Sequence, residues 1–179
     1  MGGEIMSQVN SISNIASSID LGVGGSLQLR FAKLQLALSE VSKEAAMKEI
    51  EGIEKSQEEQ KKAAGMLQEA RQLQANAKAG TGDCSEDNHA SYMPKEMQDY
   101  MDKNGLAYDK TGNDDRHNTD EWEVAINSLK AHLDQLGTNT QQKMVFVQDY
   151  MGQYNSYLQG ANSAIQQSNQ TLAELARAR

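Results

Sequence analysis

Cysteine, proline and aromatic residues are nearly missing from this chain of 179 residues, which holds one Cys, one Pro, one Trp and two Phe. The single cysteine, Cys84, excludes an intramolecular disulfide framework and any CxxC metal or redox site. It leaves a bland thiol in a reducing compartment, or one able to pair between chains outside the cell. One proline and no runs rich in Val, Ile and Thr argue against a β-sandwich or barrel, which takes turn signals at short, regular intervals. Aromatics at 5% and apolar residues at 38% supply little material for a thick globular core. No apolar run approaches the roughly 18–20 residues of a membrane span, so no direct membrane span is expected. Residues 1–26 also lack the compact apolar region of a cleaved signal peptide.

Basic charge is scarce and scattered. Residues 1–79 carry nine basic and ten acidic groups, and residues 138–179 carry three and two. Residues 80–137 carry five and thirteen, a balance of −8 that equals the net charge of the whole chain. No segment has the concentrated basic face of a nucleic-acid binder, which argues against DNA or RNA as the partner.

What is abundant is helix formers: Ala, Gln, Glu, Lys, Leu and Met. Residues 1–26, rich in Ser, Asn, Gly and Ile with Gly22, Gly24 and Gly25, read as a flexible N-terminal leader. Such a leader suits export machines that thread unfolded chains, and it equally suits an ordinary frayed terminus. From Leu27 the period becomes helical. Leu27, Phe31, Leu34, Leu38, Val41 and Ala45 line one stripe, assigned here to hairpin packing. The register then slips by one to Ala46, Ile50 and Ile53, passes Gln57 and Gln60, and resumes at Ala64 and Leu67. This pattern predicts one long coiled-coil helix over 27–79, with Gly52 and Gly65 as points of loosening.

Residues 80–137 read as an acidic inserted head. A loop over 80–88 leads to a short helix with Pro94 at its first position and Asn104-Gly105 as its stop. Met97, Tyr100 and Met101 form its buried side, and residues 109–118 read as polar loop. Asn118-Thr-Asp-Glu121 has the spacing of a capping box. The helix behind it turns Trp122, Ile126, Leu129, Leu133 and Leu136 inward, and Gly137 is expected to close it.

Residues 138–179 hold the clearest periodicity. Met144, Val147, Met151, Tyr154, Leu158, Ala161, Ile165, Ser168, Leu172 and Leu175 step 3-4-3-4 without a break, which specifies a left-handed coiled-coil seam. From Gln141 to Ala178 the helix would be about 57 Å long at 1.5 Å per residue. The fold class expected is therefore all-α: a long antiparallel helical hairpin of coiled-coil type with a small, mostly helical head inserted. Residues 150–173 contain no charged side chain, whereas an ordinary exposed helix carries Lys and Glu. That neutral stretch reads as a surface for self-assembly and for a dedicated cytosolic chaperone that covers it before use.

Candidate chemistry is absent. His89, His117 and His132 lie on separate elements without the spacing that places two ligands on one helix face. The acidic run 109–115 puts Gly112 at the sixth position of an EF-hand only if Ala107 stands at the first, which no calcium loop accepts. There is no Gly-x-Ser-x-Gly elbow, no phosphate loop and no pocket to separate the pKa values of Asp114 and Asp115. No enzyme, metal or cofactor is expected.

The stretch Met93-Pro-Lys-Glu-Met-Gln-Asp-Tyr-Met-Asp-Lys-Asn-Gly-Leu106 resembles the head segment of the EspA/SseB-like proteins of type III secretion systems. Val124-Ala-Ile-Asn-Ser-Leu129 and Gln141-Gln-Lys-Met144 are similar to that family in order and spacing. The likeness covers about residues 90–175; in the first helix, strongly charged over 55–62, it is only architectural. The resemblance implies a secreted structural subunit at the bacterial cell surface that extends or caps the secretion needle. It also implies contacts with the needle subunit and with hydrophobic translocators that form the pore on a host cell. The competing reading is a cytosolic helical adaptor or secretion chaperone built on the same hairpin.

Overall fold

The fold starts where Ser26 supplies the oxygen that the first turn of a helix needs: the Leu29 N–H donates to Ser26 Oγ at 3.2 Å. Helix α1 follows (Leu27–Lys78). The computed structural model describes residues 26–84, 89–111 and 115–178, so most of the expected leader lies outside the described residues. The helix passes Gly52 and Gly65 without interruption and ends on Gly80 at φ +70°. There Thr81 N–H bonds Asn76 O at 2.9 Å and Gly80 N–H bonds Ala77 O at 3.2 Å, the paired bonds of a Schellman stop.

Beyond α1 come strand β1 (Ala90–Tyr92), helix α2 (Lys95–Lys103), strand β2 (Arg116–Asn118) and helix α3 (Thr119–Arg177). The chain is all-α in class, a helical hairpin, with α1 and α3 antiparallel wherever they meet. Two compact units are distinguishable. One joins α1 up to Gly52 to α3 from Lys143, and the other runs Ile53–Gln142.

In the second unit, α1 and α3 are tied by polar bonds. Gln60 Nε2 donates to Thr140 Oγ1 at 2.7 Å and to Leu136 O at 3.1 Å, and Ser56 Oγ lies 2.8 Å from Thr140 Oγ1. These bonds explain the main departure from expectation. Gly137 does not close a helix, because α3 runs through it as one element of 59 residues. A mid-helix glycine costs about 1 kcal/mol. Here Gln60 and Ser56 hold the adjoining turn against α1, and the Thr138 and Thr140 hydroxyls bond back to Asp134 O and Leu136 O at 3.1 and 2.9 Å.

The core of that unit contains Ala63, Met66, Leu67, Ala70, Met93, Met97, Tyr100, Met101, Trp122 and Leu129, with Ile126, Leu133 and Leu136 packed against it. The inward residues expected on α2 and on the start of α3 thus take their places. The Asn118 capping box forms reciprocally: Asn118 N–H donates to Glu121 Oε2 at 2.8 Å, and Glu121 N–H donates to Asn118 Oδ1 at 3.0 Å. Pro94 stands one place earlier than expected, as the N-cap of α2. Gly105 at φ +64° completes the helix stop, with Leu106 N–H on Met101 O at 2.8 Å.

The unforeseen element is a two-stranded antiparallel ladder in which Ala90, Ser91 and Tyr92 face Asn118, His117 and Arg116. Its buried residue Ser91 donates to Leu73 O at 2.7 Å and accepts from Trp122 Nε1 at 3.3 Å. The ladder is therefore fastened to both long helices of its unit.

The two kinds of glycine predict opposite mutants. Gly137 has open space where a Cβ would stand and no positive φ, so Gly137→Ala should stabilise by about 0.5–1 kcal/mol. Gly105→Ala should destabilise by about 1–2 kcal/mol, since only the left-handed conformation continues the stop. Urea unfolding followed by circular dichroism distinguishes the two signs.

Candidate assembly surface

Burial along the long helices follows one heptad each, and in the first unit its fully buried residues are small. In the first unit the fully buried positions of α1 are Ala32, Ser39, Ser42 and Ala46. Gln35 and Glu49, half-buried, complete the 3-4 stepping between them. In the second unit the same stepping continues on α1 through Ala63, Leu67, Ala70 and Ala77. Across from the first set, α3 presents Ala161, Ala164 and Ser168 buried, with Lys143, Val147, Tyr150, Tyr154 and Tyr157 half-buried.

The pairing register comes from three contacts inside this unit. Ser26 Oγ lies 3.2 Å from Ser168 Oγ, Lys143 Nζ bonds Glu49 Oε2 at 3.3 Å, and a Cβ on Gly160 would stand 3.1 Å from Gln35 Oε1.

This seam corrects the expected one by a single residue. The stripe Leu27, Phe31, Leu34, Leu38 and Val41 does not form the contact line of α1; each of the last four precedes a seam residue by one. Leu27 is 81% exposed and Phe31 48%, while Leu34, Leu38 and Val41 are half-buried. The slip in register expected near Ala46 does not occur either. On α3, Val147, Tyr154, Ala161 and Ser168 do lie on the seam. Met144, Met151, Leu158 and Ile165 each sit one residue after a seam position, on its flank. The reason is physical: small residues on α1 leave room for the larger seam residues Val147, Tyr150, Tyr154 and Tyr157 of α3, which displaces the large side chains of α1 to the edges.

One flank is thereby apolar. Leu29, Leu36 and Ile50 on α1 stand level with Ile165, Leu158 and Met144 on α3, all but Leu158 and Ile165 exposed, and the charged Lys43 interrupts the α1 side between Leu36 and Ile50. At the equivalent heptad positions of the second unit stand Gln57, Ala64 and Arg71 on α1 and Glu123 and Lys130 on α3. An ordinary solvated flank has that composition. The opposite flank of the first unit holds a cleft of about 440 Å³ lined by Leu27, Phe31, Gly160 and Ala164. The last turns of α3 carry Leu172 and Leu175, 58% and 61% exposed, past the level of Ser26.

The second unit has its own cleft of about 560 Å³, where Leu67 and Leu133 are joined by Ala64, Gln68, Arg71 and Gln72. Among the described residues no three His, Cys, Asp or Glu side chains gather as a metal site. Cys84 is 1% exposed, which removes it from pairing between folded chains. His117, expected in a loop, is instead on β2 and fully buried. Its Nδ1 and Nε2 lie 3.0 and 3.1 Å from Asp115 O and Asp109 O, and its ring packs 5.2 Å from that of Trp122. Nothing in the spacing of an isolated histidine announces such a structural role.

One exposed ion pair there is local. Asp102 accepts from Lys110 Nζ at 2.7 Å and from Tyr108 OH at 3.1 Å, and the lysine bond is the main cause that holds its carboxyl below the usual range. Burial, reinforced by the Glu59 carboxylate, pushes the Tyr100 hydroxyl up to about 12.

Comparison of the chain with protein-family models, with curated proteins and with solved structures returns no match.

Tyr100 supplies a pH test of this packing. Its hydroxyl is buried, with the Glu59 carboxylate near enough to act on it yet outside ordinary hydrogen-bond geometry, so Tyr100→Phe should leave stability at pH 7 equal or higher. The folded-state pKa of about 12 exceeds the ordinary value of 10.0, so the stabilisation is complete below pH 10.0 and is lost as pH rises through about 12. In urea unfolding at pH 7 and pH 11, the variant should therefore gain on the wild type at the higher pH. A loss at pH 7 would mean that the hydroxyl has a partner.

Proposed function

We propose that this protein is an exported structural subunit that self-assembles through its helical hairpin, of the kind that extends or caps a type III secretion needle. One observation carries the reading: the neutral C-terminal half of α3 bears exposed apolar side chains at heptad spacing. Residues 150–173 lack any charge, and Met144, Met151, Leu172 and Leu175 are exposed at 41% or more. A helix of this composition can meet other helices without desolvating charge. Nothing on it repels a second copy. The sequence likeness of residues 90–175 to the EspA/SseB-like proteins supports the same reading. It also supplies the expected partners: further copies of the chain, the needle subunit, a cytosolic chaperone and hydrophobic translocators.

The acidic segment 80–137 suits the outward side of such an assembly, since stacked copies facing inward would repel.

Because Met151 and Leu172 are exposed in the single chain, Met151→Asp with Leu172→Asp tests assembly without disturbing the seam. The wild type should sediment as concentration-dependent oligomers, and the double variant as a monomer with unchanged helical circular dichroism. A wild type that stays monomeric near millimolar concentration contradicts the proposal, as does a variant that assembles like the wild type. Export is checked separately, by finding the chain with its N-terminus intact in culture supernatant.

A further inference from the structure

The ring of His117 is 1% exposed, and both of its nitrogens meet groups that can only accept. Nδ1 lies 3.0 Å from Asp115 O and Nε2 lies 3.1 Å from Asp109 O. A neutral imidazole has one N–H and one bare nitrogen, so it can donate to only one of these carbonyls. The other carbonyl would then face a lone pair at hydrogen-bond distance, with both groups shut away from water. An imidazolium has two N–H groups and satisfies both carbonyls.

The surroundings favour the positive ring. Trp122 packs on it with ring centroids 5.2 Å apart, a range in which an aromatic face attracts a cation, and the Tyr108 ring lies 6.2 Å away. The charged groups on the elements around it are Asp109 and Lys110 ahead of β2, Asp115 and Arg116 next to it in the chain, and Asp120 and Glu121 in the first turn of α3. Strand β1 brings only the Tyr92 hydroxyl. Four carboxylates thus stand against two cations, and Lys110 is already paired with Asp102. The Asp109 carboxyl is held below the usual range mainly by the Thr111 hydroxyl and in part by the charge of His117. That attraction is mutual.

We infer that His117 is a buried imidazolium that acts as a proton-operated clasp between β2 and the backbone of Asp109. The Nδ1 bond spans two residues and belongs to the local turn, whereas the Nε2 bond spans eight and joins separate stretches of chain. When the ring gives up its second proton, the local bond remains and the longer connection is lost. The stretch so released carries Tyr108, Asp109 and Lys110, and with them the pairing to Asp102. Strand β2 stays fastened, because its ladder partner Ser91 is bonded to Leu73 O and Trp122. The clasp makes this part of the acidic segment responsive to pH, as histidine alone among unperturbed side chains does near neutrality. It stands or falls without the assembly reading.

The test is nitrogen NMR of the ring in the full chain with His89→Gln and His132→Gln, which leaves His117 as the single histidine. Near pH 7 both ring nitrogens should give the protonated signature. A bare nitrogen there overturns the inference. As the pH is raised, loss of the ring proton should coincide with chemical-shift changes at the amides of Tyr108, Asp109 and Lys110. Deprotonation that leaves those amides unmoved overturns the clasp, as does a ring that keeps both protons to pH 10. The wild-type chain gives the same readings if the two substitutions disturb folding, since the His117 signal is then the one that His117→Gln removes.

Discussion

Packing of alanine and serine on α1 against valine, tyrosine and alanine on α3 is the constraint on which the remainder of the first unit depends. In the register set by the Ser26–Ser168 and Glu49–Lys143 contacts, Ala32 stands opposite Ala161, and Ser39, Ser42 and Ala46 stand opposite Tyr154, Tyr150 and Val147, so a larger side chain on α1 would force the helices apart. Burial of such small residues removes little apolar surface, so the seam fixes geometry more than it supplies free energy. The large residues beside it, among them Leu36, Leu38, Leu158 and Ile165, are left to pack along the edges. The exposed apolar positions of this unit follow from that one choice of seam residues.

The second unit solves a different problem. Its helices carry Leu67, Trp122, Leu129 and Leu133, and the intervening segment supplies Met93, Met97, Tyr100 and Met101 to cover them. Met66 and Ala125, which lie beside the seam heptad of their helices, are buried by that cover. Two polar groups inside it are joined: Trp122 donates to Ser91, which donates in turn to Leu73 O. Such a chain of bonds positions a three-residue ladder too short to be stable by itself.

Much of this was legible in the chain. Both long helices, their antiparallel fold class, the Asn118 capping box and the stop at Asn104-Gly105 follow from periodicity and turn chemistry. The seam lies one residue from the apolar stripe of α1 because size, not hydrophobicity, selects its contact line. Leu38 is more apolar than Ser39 and Ile165 more apolar than Ala164, yet the smaller residue of each pair is the more buried. Gly137 was misread because its cost is local, whereas the bonds from Gln60 and Ser56 that offset it come from residues about 80 positions away. The strands were not legible at all: Ala90-Ser-Tyr92 and Arg116-His-Asn118 are too short to show alternation. The burial of His117 depends on carbonyl groups that only the folded loop presents.

A flank of exposed apolar side chains on a neutral helix is an unstable arrangement for a protein that works alone, and this gives the fold its bearing on function. The claim beneath every step is that the small residues of α1, not the neighbouring large ones, form the contact line. Thiol alkylation in a Cys84→Ser background tests it directly, comparing Cys at Ala32 with Cys at Phe31 and Cys at Ala46 with Cys at Met47. The account predicts that positions 32 and 46 are protected in the folded chain while 31 and 47 react as freely as surface thiols. Protection of 31 and 47 with free reaction at 32 and 46 would contradict it.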